Sequence, residues 1–233
     1  MTLAKEYKEF MYGEDYPLVS VIVPTRRYGL VYEILFNGLK KQTFREFEVL
    51  IVDDVPEDRS HLAKKYAEKY RINVKWMRSK PNYWKSNRLI ANARNTALIY
   101  AEGELVVFFD DYTWVPPRFL ESHWKVWDET GYNLLGAVTA VEYTPNPPED
   151  FRVLPVLTYD ERAKKEVPPY LGIPMDGAVD TRTYQGYREW KDCPPGWFYT
   201  CNASAPLQKI VEVNGFDEEF DCTSEEDLSL IHI

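Results

Sequence analysis

The sequence predicts an α/β fold with a mostly parallel central sheet and helices on both faces. Two patterns predict it: short β-branched runs alternate with amphipathic segments, and the residues that end those runs are polar. Leu18 to Val23 (LVSVIV) reads as a buried strand ending at Pro24. Val31, Ile34, Leu35 and Leu39 then recur at helical spacing. A second apolar run, Val49 to Val52, stops at Asp53 and Asp54, and Leu62, Ala63, Tyr66, Ala67 and Tyr70 mark an amphipathic helix after it. Val74 to Met77 is expected as a third strand, and Leu89, Ile90, Ala93, Ala97, Leu98 and Ala101 as a helix closing near Gly103. Leu105 to Phe109 (LVVFF) is the fourth strand, running into Asp110 and Asp111.

Alternation at this pace implies a parallel sheet, and such sheets bind ligands outside the carboxyl ends of their strands. Pro24 to Arg27, Asp53 with Asp54, and Asp110 with Asp111 are thereby expected at one crevice. Past Asp111 the pattern changes. A helix over Arg118 to Trp127 and a strand over Leu134 to Val141 are expected, followed by an irregular segment, 143–195, rich in Pro, Gly and aromatic residues. Ala205 to Val213 (APLQKIVEV) reads as a helix stopped by Asn214 and Gly215.

Composition narrows the function. The chain of 233 residues has a formal charge of −9, which argues against general nucleic-acid binding and requires a local basic group or a metal for any phosphorylated ligand. Cys193, Cys201 and Cys222 are an odd number without metal-ligand spacing, so thiols in a reducing compartment are expected. The opening MTLAKEYKEF lacks an apolar stretch of signal-peptide length, and no run of about 20 apolar residues occurs. The expected location is cytoplasmic, with peripheral membrane contact left open.

Neither GxGxxG after the first strand nor GxxxxGK[ST] is present, which disfavours dinucleotide and P-loop chemistry. His61, His123 and His232 are scattered and read as surface or packing residues. Two adjacent carboxylates such as Asp110 and Asp111 either cap a helix or share a cation. Asp53 and Asp54 either cap a turn or accept hydrogen bonds from a base or ribose. Arg94, with Arg88 nearly two turns earlier, either solvates a helix face or pairs with a phosphate. The run Glu225, Glu226, Asp227 is either a solvated turn or the source of a general base. Trp190, Trp197 and Tyr199 suit stacking on a sugar face or ordinary packing.

In order along the chain, VSVIVPTRR (Val19 to Arg27), QTFREFEVLIVDD (Gln42 to Asp54), ANARNTALIYAEGELVVFFDD (Ala91 to Asp111) and CNASAPLQKIVEVNGFDEEF (Cys201 to Phe220) followed by EED form a set. This set resembles the family 2 glycosyltransferases of the GT-A fold, a Rossmann-like α/β architecture. The resemblance implies an inverting, metal-dependent transfer of a sugar from a nucleotide-sugar, a UDP-sugar being favoured, to the hydroxyl of a glycan or other acceptor.

By the same resemblance, Pro24, Thr25 and Arg26 line the nucleotide pocket, Asp54 or Asp53 bonds the base, and Arg94 reaches toward the nucleotide. Asp110 contacts the ribose or a metal-bound water, and Asp111 helps hold Mn²⁺ or Mg²⁺ on the diphosphate. Glu226 or Asp227 deprotonates the acceptor. Residues 1–17 would be an N-terminal extension, 18–115 a nucleotide-sugar-binding half and 116–233 an acceptor-side half. Tyr112 stands where many relatives carry a third acid, and SLIHI ends the chain soon after the ED motif, where relatives continue; a C-terminally truncated member is expected, with His232 no metal ligand. Two other readings are a sugar-nucleotide pyrophosphorylase, disfavoured because RRYG holds only Gly29, and a catalytically impaired nucleotide-sugar or glycan-binding protein of the same fold.

Overall fold

The computed structural model describes residues 17–26, 30–81, 90–111, 113–115, 117–130, 138–139, 157–158, 200 and 202–220. Four parallel strands form the frame: β1 (Val19–Thr25), β2 (Phe47–Asp53), β3 (Asn73–Arg78) and β4 (Leu105–Phe109). β1 lies between β2 and β4, with Val19 level with Phe47 on one side and Leu105 on the other, and β3 pairs beyond β2. Two further strands, β6 (Val138–Thr139) and β8 (Asn202–Pro206), complete a six-stranded sheet of order β3-β2-β1-β4-β8-β6. β8 is antiparallel to β4, and β6 is antiparallel to β8, which returns β6 to the direction of the first four. Separately, β5 (Thr113–Trp114) pairs antiparallel with β7 (Leu157–Thr158).

β1, β2 and β4 are apolar almost throughout because both faces are covered, whereas the edge strand β3 is only partly buried. Val19, Val21 and Val23 of β1, Val49 and Ile51 of β2, and Leu105 and Val107 of β4 face one way. They pack under α1 (Leu30–Leu39), α2 (Ser60–Tyr70) and α4 (Phe119–Thr130) through Leu35, Phe36, Leu39, Ala63, Tyr66, Phe119, Leu120 and Trp127. The intervening Ile22, Leu50, Val52, Val106 and Phe108 face the other way, against α3 (Ile90–Tyr100) and α5 (Leu207–Glu212). Period-two alternation thus divides one apolar run between two cores. Small residues let α3 lie close to the sheet: Ala91, Ala93 and Ala97 are all buried.

At the amino ends of the strands the α3 face turns polar. Glu48, wholly buried, accepts hydrogen bonds from Ser20 Oγ at 2.7 Å and from the Glu102 backbone N–H at 2.8 Å, and pairs with Lys75 Nζ at 2.7 Å. Ser20 Oγ in turn accepts from the Gly103 N–H at 2.8 Å. A Cβ on Gly103 would stand 2.5 Å from the Ser20 backbone nitrogen, so only glycine fits there. This network holds the turn from α3 into the start of β4.

Several expected elements differ in extent. β1 continues through Pro24 to Thr25 rather than ending at Pro24. Its pairing with β4 stops at Ile22 and Phe108, so the N–H that proline lacks falls beyond that ladder. Ala205 and Pro206, expected in a helix, belong to β8, and the helix that follows is only Leu207–Glu212. The reason is tertiary: Ala203 and Ala205 fit the tight space beside Phe108, while Ser204 on the opposite face accepts a hydrogen bond from Trp127 Nε1 at 3.0 Å and meets His123 Nδ1 at 2.8 Å. Asn214 and Gly215 do close this segment, with φ of 63° and 74°.

Of the strand expected over 134–141, only Val138 and Thr139 are described, and of the segment 143–195 only Leu157 and Thr158. Among the described residues no helix is long and apolar enough to cross a membrane.

Candidate functional site

Because β1 to β4 are parallel and in register, their carboxyl ends share one edge. Thr25 is level with Asp53, and Asp53 with Arg78. Backbone bonds carry the ladder one step past the strands, from the Asp54 N–H to the Thr25 carbonyl at 3.0 Å and from the Ser79 N–H to the Asp53 carbonyl at 3.1 Å. Thr25, Arg26, Asp54 and Ser79 therefore stand side by side, at the edge where β4 delivers Asp110 and Asp111.

A buried hydrogen bond ties the two sides of this edge: Thr25 Oγ1 donates to Asp111 Oδ2 at 2.6 Å. Asp111 is 3% exposed, whereas Asp110 is partly open to solvent. The adjacent acids thus have unlike surroundings, Asp111 held against β1 and Asp110 partly exposed. Pro24, half-buried, precedes Thr25 in β1.

Asp53 and Asp54 are also distinguished. Asp53 is buried, and both its oxygens are engaged by the Arg59 guanidinium, with Nε at 2.6 Å from Oδ2 and Nη2 on Oδ1. The Trp76 indole N–H approaches Oδ2 at 3.4 Å. Asp54 lies at the edge, paired with Arg26 Nε at 3.4 Å and accepting from Ser79 Oγ at 3.3 Å.

Arg59 was not legible as a site-supporting residue, although one signal was present. It stands at the N-cap of α2, where a cation opposes the helix dipole. A cation tolerated there calls for a specific anionic partner. Ser79 carried no such signal.

Arg94 sits on the buried face of α3 with its guanidinium carbon 5.4 Å from the centre of the Phe216 ring. Phe216 also meets Phe108 edge to face at 5.3 Å. Next to Arg94, Asn95 clamps the Phe216 backbone from both sides: Nδ2 donates to its carbonyl at 2.8 Å, and Oδ1 accepts from its N–H at 2.9 Å. Asn95 Nδ2 also reaches Glu218 Oε1 at 2.8 Å, and Lys80 Nζ pairs with that oxygen at 2.5 Å. This ties the helix before β4 to the turn Asn214–Phe220, which the sequence alone does not disclose.

Arg27, Arg88, Tyr112, Glu225, Glu226, Asp227, His232, Trp190, Trp197, Tyr199 and the three cysteines lie outside the described residues. His123 is a packing residue between Phe119 and Ser204, and His61 is exposed. Among the described residues no group of three or more His, Cys, Asp and Glu side chains is gathered to hold a metal.

A parallel α/β sheet with an acidic and hydroxylic edge beyond β1, β2 and β4 has the architecture of the GT-A glycosyltransferases. The family model for glycosyl transferase family 2 matches residues 20–175, more than half of the chain, and the chain belongs to that family.

A validoxylamine A glucosyltransferase of Streptomyces hygroscopicus subsp. jinggangensis is 26% identical over 223 residues, covering 92% of this chain and 50% of the relative. The chain spans about half the length of these curated relatives, 50% and 47% for two validoxylamine A glucosyltransferases.

Among solved structures, the mannosyltransferase PcManGT of Pyrobaculum calidifontis, in complex with GDP-Man and Mn²⁺, is similar with a TM-score of 0.56 at 20% identity, over 93% of this chain and 54% of that one. TarS 1-349 of S. aureus in complex with UDP is similar with a TM-score of 0.55 at 20% identity, over 91% of this chain and 53% of that one. Both likenesses are of fold.

Proposed function

We propose that the chain acts as an inverting, metal-dependent glycosyltransferase that uses a UDP-sugar and transfers the sugar to an acceptor hydroxyl in glycan or polysaccharide synthesis. The observation that carries this reading is the Thr25–Asp111 hydrogen bond beside the Arg26–Asp54 pair, which brings the loops after β1, β2 and β4 to one edge. In this reading Pro24, Thr25 and Arg26 line the pocket, and Asp54 accepts a hydrogen bond from the base. Asp53 acts beneath it, bound to Arg59. Arg94, braced by Phe216, directs positive charge toward the nucleotide.

Asp110 and Asp111 are the metal-holding residues in this reading. Their all-oxygen donor set fits Mn²⁺ or Mg²⁺, which binds through one or two carboxylates with phosphates completing the shell, so a protein cluster of three ligands is not required. When bound, the cation neutralises charge on the leaving diphosphate. The TarS and PcManGT structures, with UDP and with GDP-Man and Mn²⁺, support a nucleoside-diphosphate donor and a divalent ion.

Glu226 or Asp227 is proposed as the base. The acceptor oxygen attacks the anomeric carbon, its proton passes to the carboxylate, and the bond to the diphosphate breaks with its electron pair leaving on the phosphate oxygen. Attack opposite the leaving group inverts the anomeric centre.

Thermal-shift measurements with UDP, GDP and ADP, each with and without Mn²⁺, test the binding step. A ligand at 100 times its Kd stabilises by about 2.7 kcal/mol. The expected result is a rise with UDP that depends on Mn²⁺, and a flat response to every nucleotide refutes the reading. Donor hydrolysis or transfer then separates an enzyme from a binder, since metal-dependent binding without turnover by the full-length protein identifies the latter.

A further inference from the structure

The Arg26–Asp54 pair has a consequence for which ligands the edge accepts. Asp54 has one oxygen on Ser79 and the other on Arg26, and its side chain is only 16% exposed, whereas that of Arg26 is 52% exposed. Arg26 therefore occupies a carboxylate that a base N–H would need in the reading above. It is also bonded in sequence to Thr25, whose hydroxyl holds Asp111 on the diphosphate side. A long, half-exposed guanidinium rooted between these two points can reach either. Its contact with Asp54 is 3.4 Å from Nε, and such half-exposed pairs are weak enough to exchange.

We propose that Arg26 is a selectivity residue: it occupies Asp54 and yields that carboxylate to a base N–H while moving to the diphosphate of the same ligand. This rests on the nucleotide-binding reading above. A nucleoside diphosphate compensates the broken pair with a new charge-assisted contact, and a nucleoside alone does not. Arg26 thereby disfavours nucleosides and favours nucleoside diphosphates, a selectivity set by a competing contact as well as an attractive one.

The test is titration of UDP and uridine, with Mn²⁺ present, into the 233-residue chain and its Arg26→Ala and Asp54→Asn variants at low and high salt. Arg26→Ala is expected to weaken UDP at least about ten-fold, the scale of a charge-assisted hydrogen bond. It is expected to tighten uridine about two- to five-fold at low salt, the scale of an exposed ion pair. The gain for uridine should shrink at high salt, where the pair is screened. It should vanish when Arg26→Ala is made in the Asp54→Asn background.

Weakening of both ligands would assign Arg26 to the nucleoside itself and overturn the proposal, as would unchanged uridine affinity. In either case UDP binding by the unaltered chain keeps the nucleotide reading standing. Failure of the unaltered chain to bind UDP removes that reading and this one together.

Discussion

Replacing Arg59 by methionine removes the guanidinium and leaves the Asp53 carboxylate, 1% exposed, with the Trp76 indole at 3.4 Å as its remaining side-chain donor. A buried ion pair broken from one side costs about 3–5 kcal/mol, because the surviving charge stays buried without its counterion. For a chain of this size each kcal/mol moves the melting midpoint by about 2–4 °C, so Arg59→Met should lower it by roughly 6–20 °C.

Replacing the pair as a whole behaves differently. Asp53→Leu with Arg59→Met removes both charges and should fall within about 2 kcal/mol of the wild type, as apolar replacements of buried pairs often do. Urea unfolding of the wild type, the two single variants and the double variant closes a thermodynamic cycle. The expected coupling is at least about 2 kcal/mol; additivity within about 0.5 kcal/mol would refute the reasoning that Arg59 exists to hold Asp53.

The other predictions concern three separate contacts. Asp111→Asn should abolish the Mn²⁺-dependent part of UDP stabilisation in a thermal-shift assay, and an unchanged metal response would refute its place in the metal site. Asn95→Ala leaves the Phe216 N–H and carbonyl, now bonded at 2.9 and 2.8 Å, without their side-chain partner and should destabilise by about 2–4 kcal/mol in urea. Asn95→Asp keeps the acceptor but sets a carboxylate oxygen against the Phe216 carbonyl and Glu218 Oε1, so it should be no more stable than Asn95→Ala; a near-wild-type Asn95→Asp would contradict the two-sided clamp.

Lys75 gives the pH dependence. Burial alone would lower its pKa, but the hydrogen bonds and charges of Glu48 and Glu102 outweigh burial and raise it above the ordinary value of 10.5. A raised lysine pKa contributes stability that is fully present below the unfolded value and is lost as the pH climbs through the folded one. Wild type and Lys75→Met should therefore differ in urea midpoint at pH 8, and the difference should narrow as the pH climbs past the ordinary lysine value of 10.5; a gap that widens with pH refutes the assignment.

The frame of the protein was legible because it depends on neighbours along the chain. Short apolar runs marked β1 through β4 and helical spacing marked the intervening helices, and the polar residues ending the runs marked one edge of the sheet. The ordered motifs from Val19 to Phe220 pointed to family 2 in the same way, since each is a local string. What escaped was small, polar or distant. Asn202–Pro206 has little strand propensity and becomes β8 because alanines fit beside Phe108 while Ser204 meets α4.

Within the site, the sequence determined that acids, a threonine and an arginine would gather at the carboxyl ends of parallel strands. Which acid does what was decided in three dimensions. Asp53 and Asp54 are neighbours of one type, and Arg59 draws the first inward while Ser79 and Arg26 meet the second. Thr25 meets Asp111 across 86 positions, and Asn95 meets Phe216 across 121. A local pattern carries no information about such partners, because their energies depend on burial and on distances that exist only once the sheet has brought the ends of its strands together.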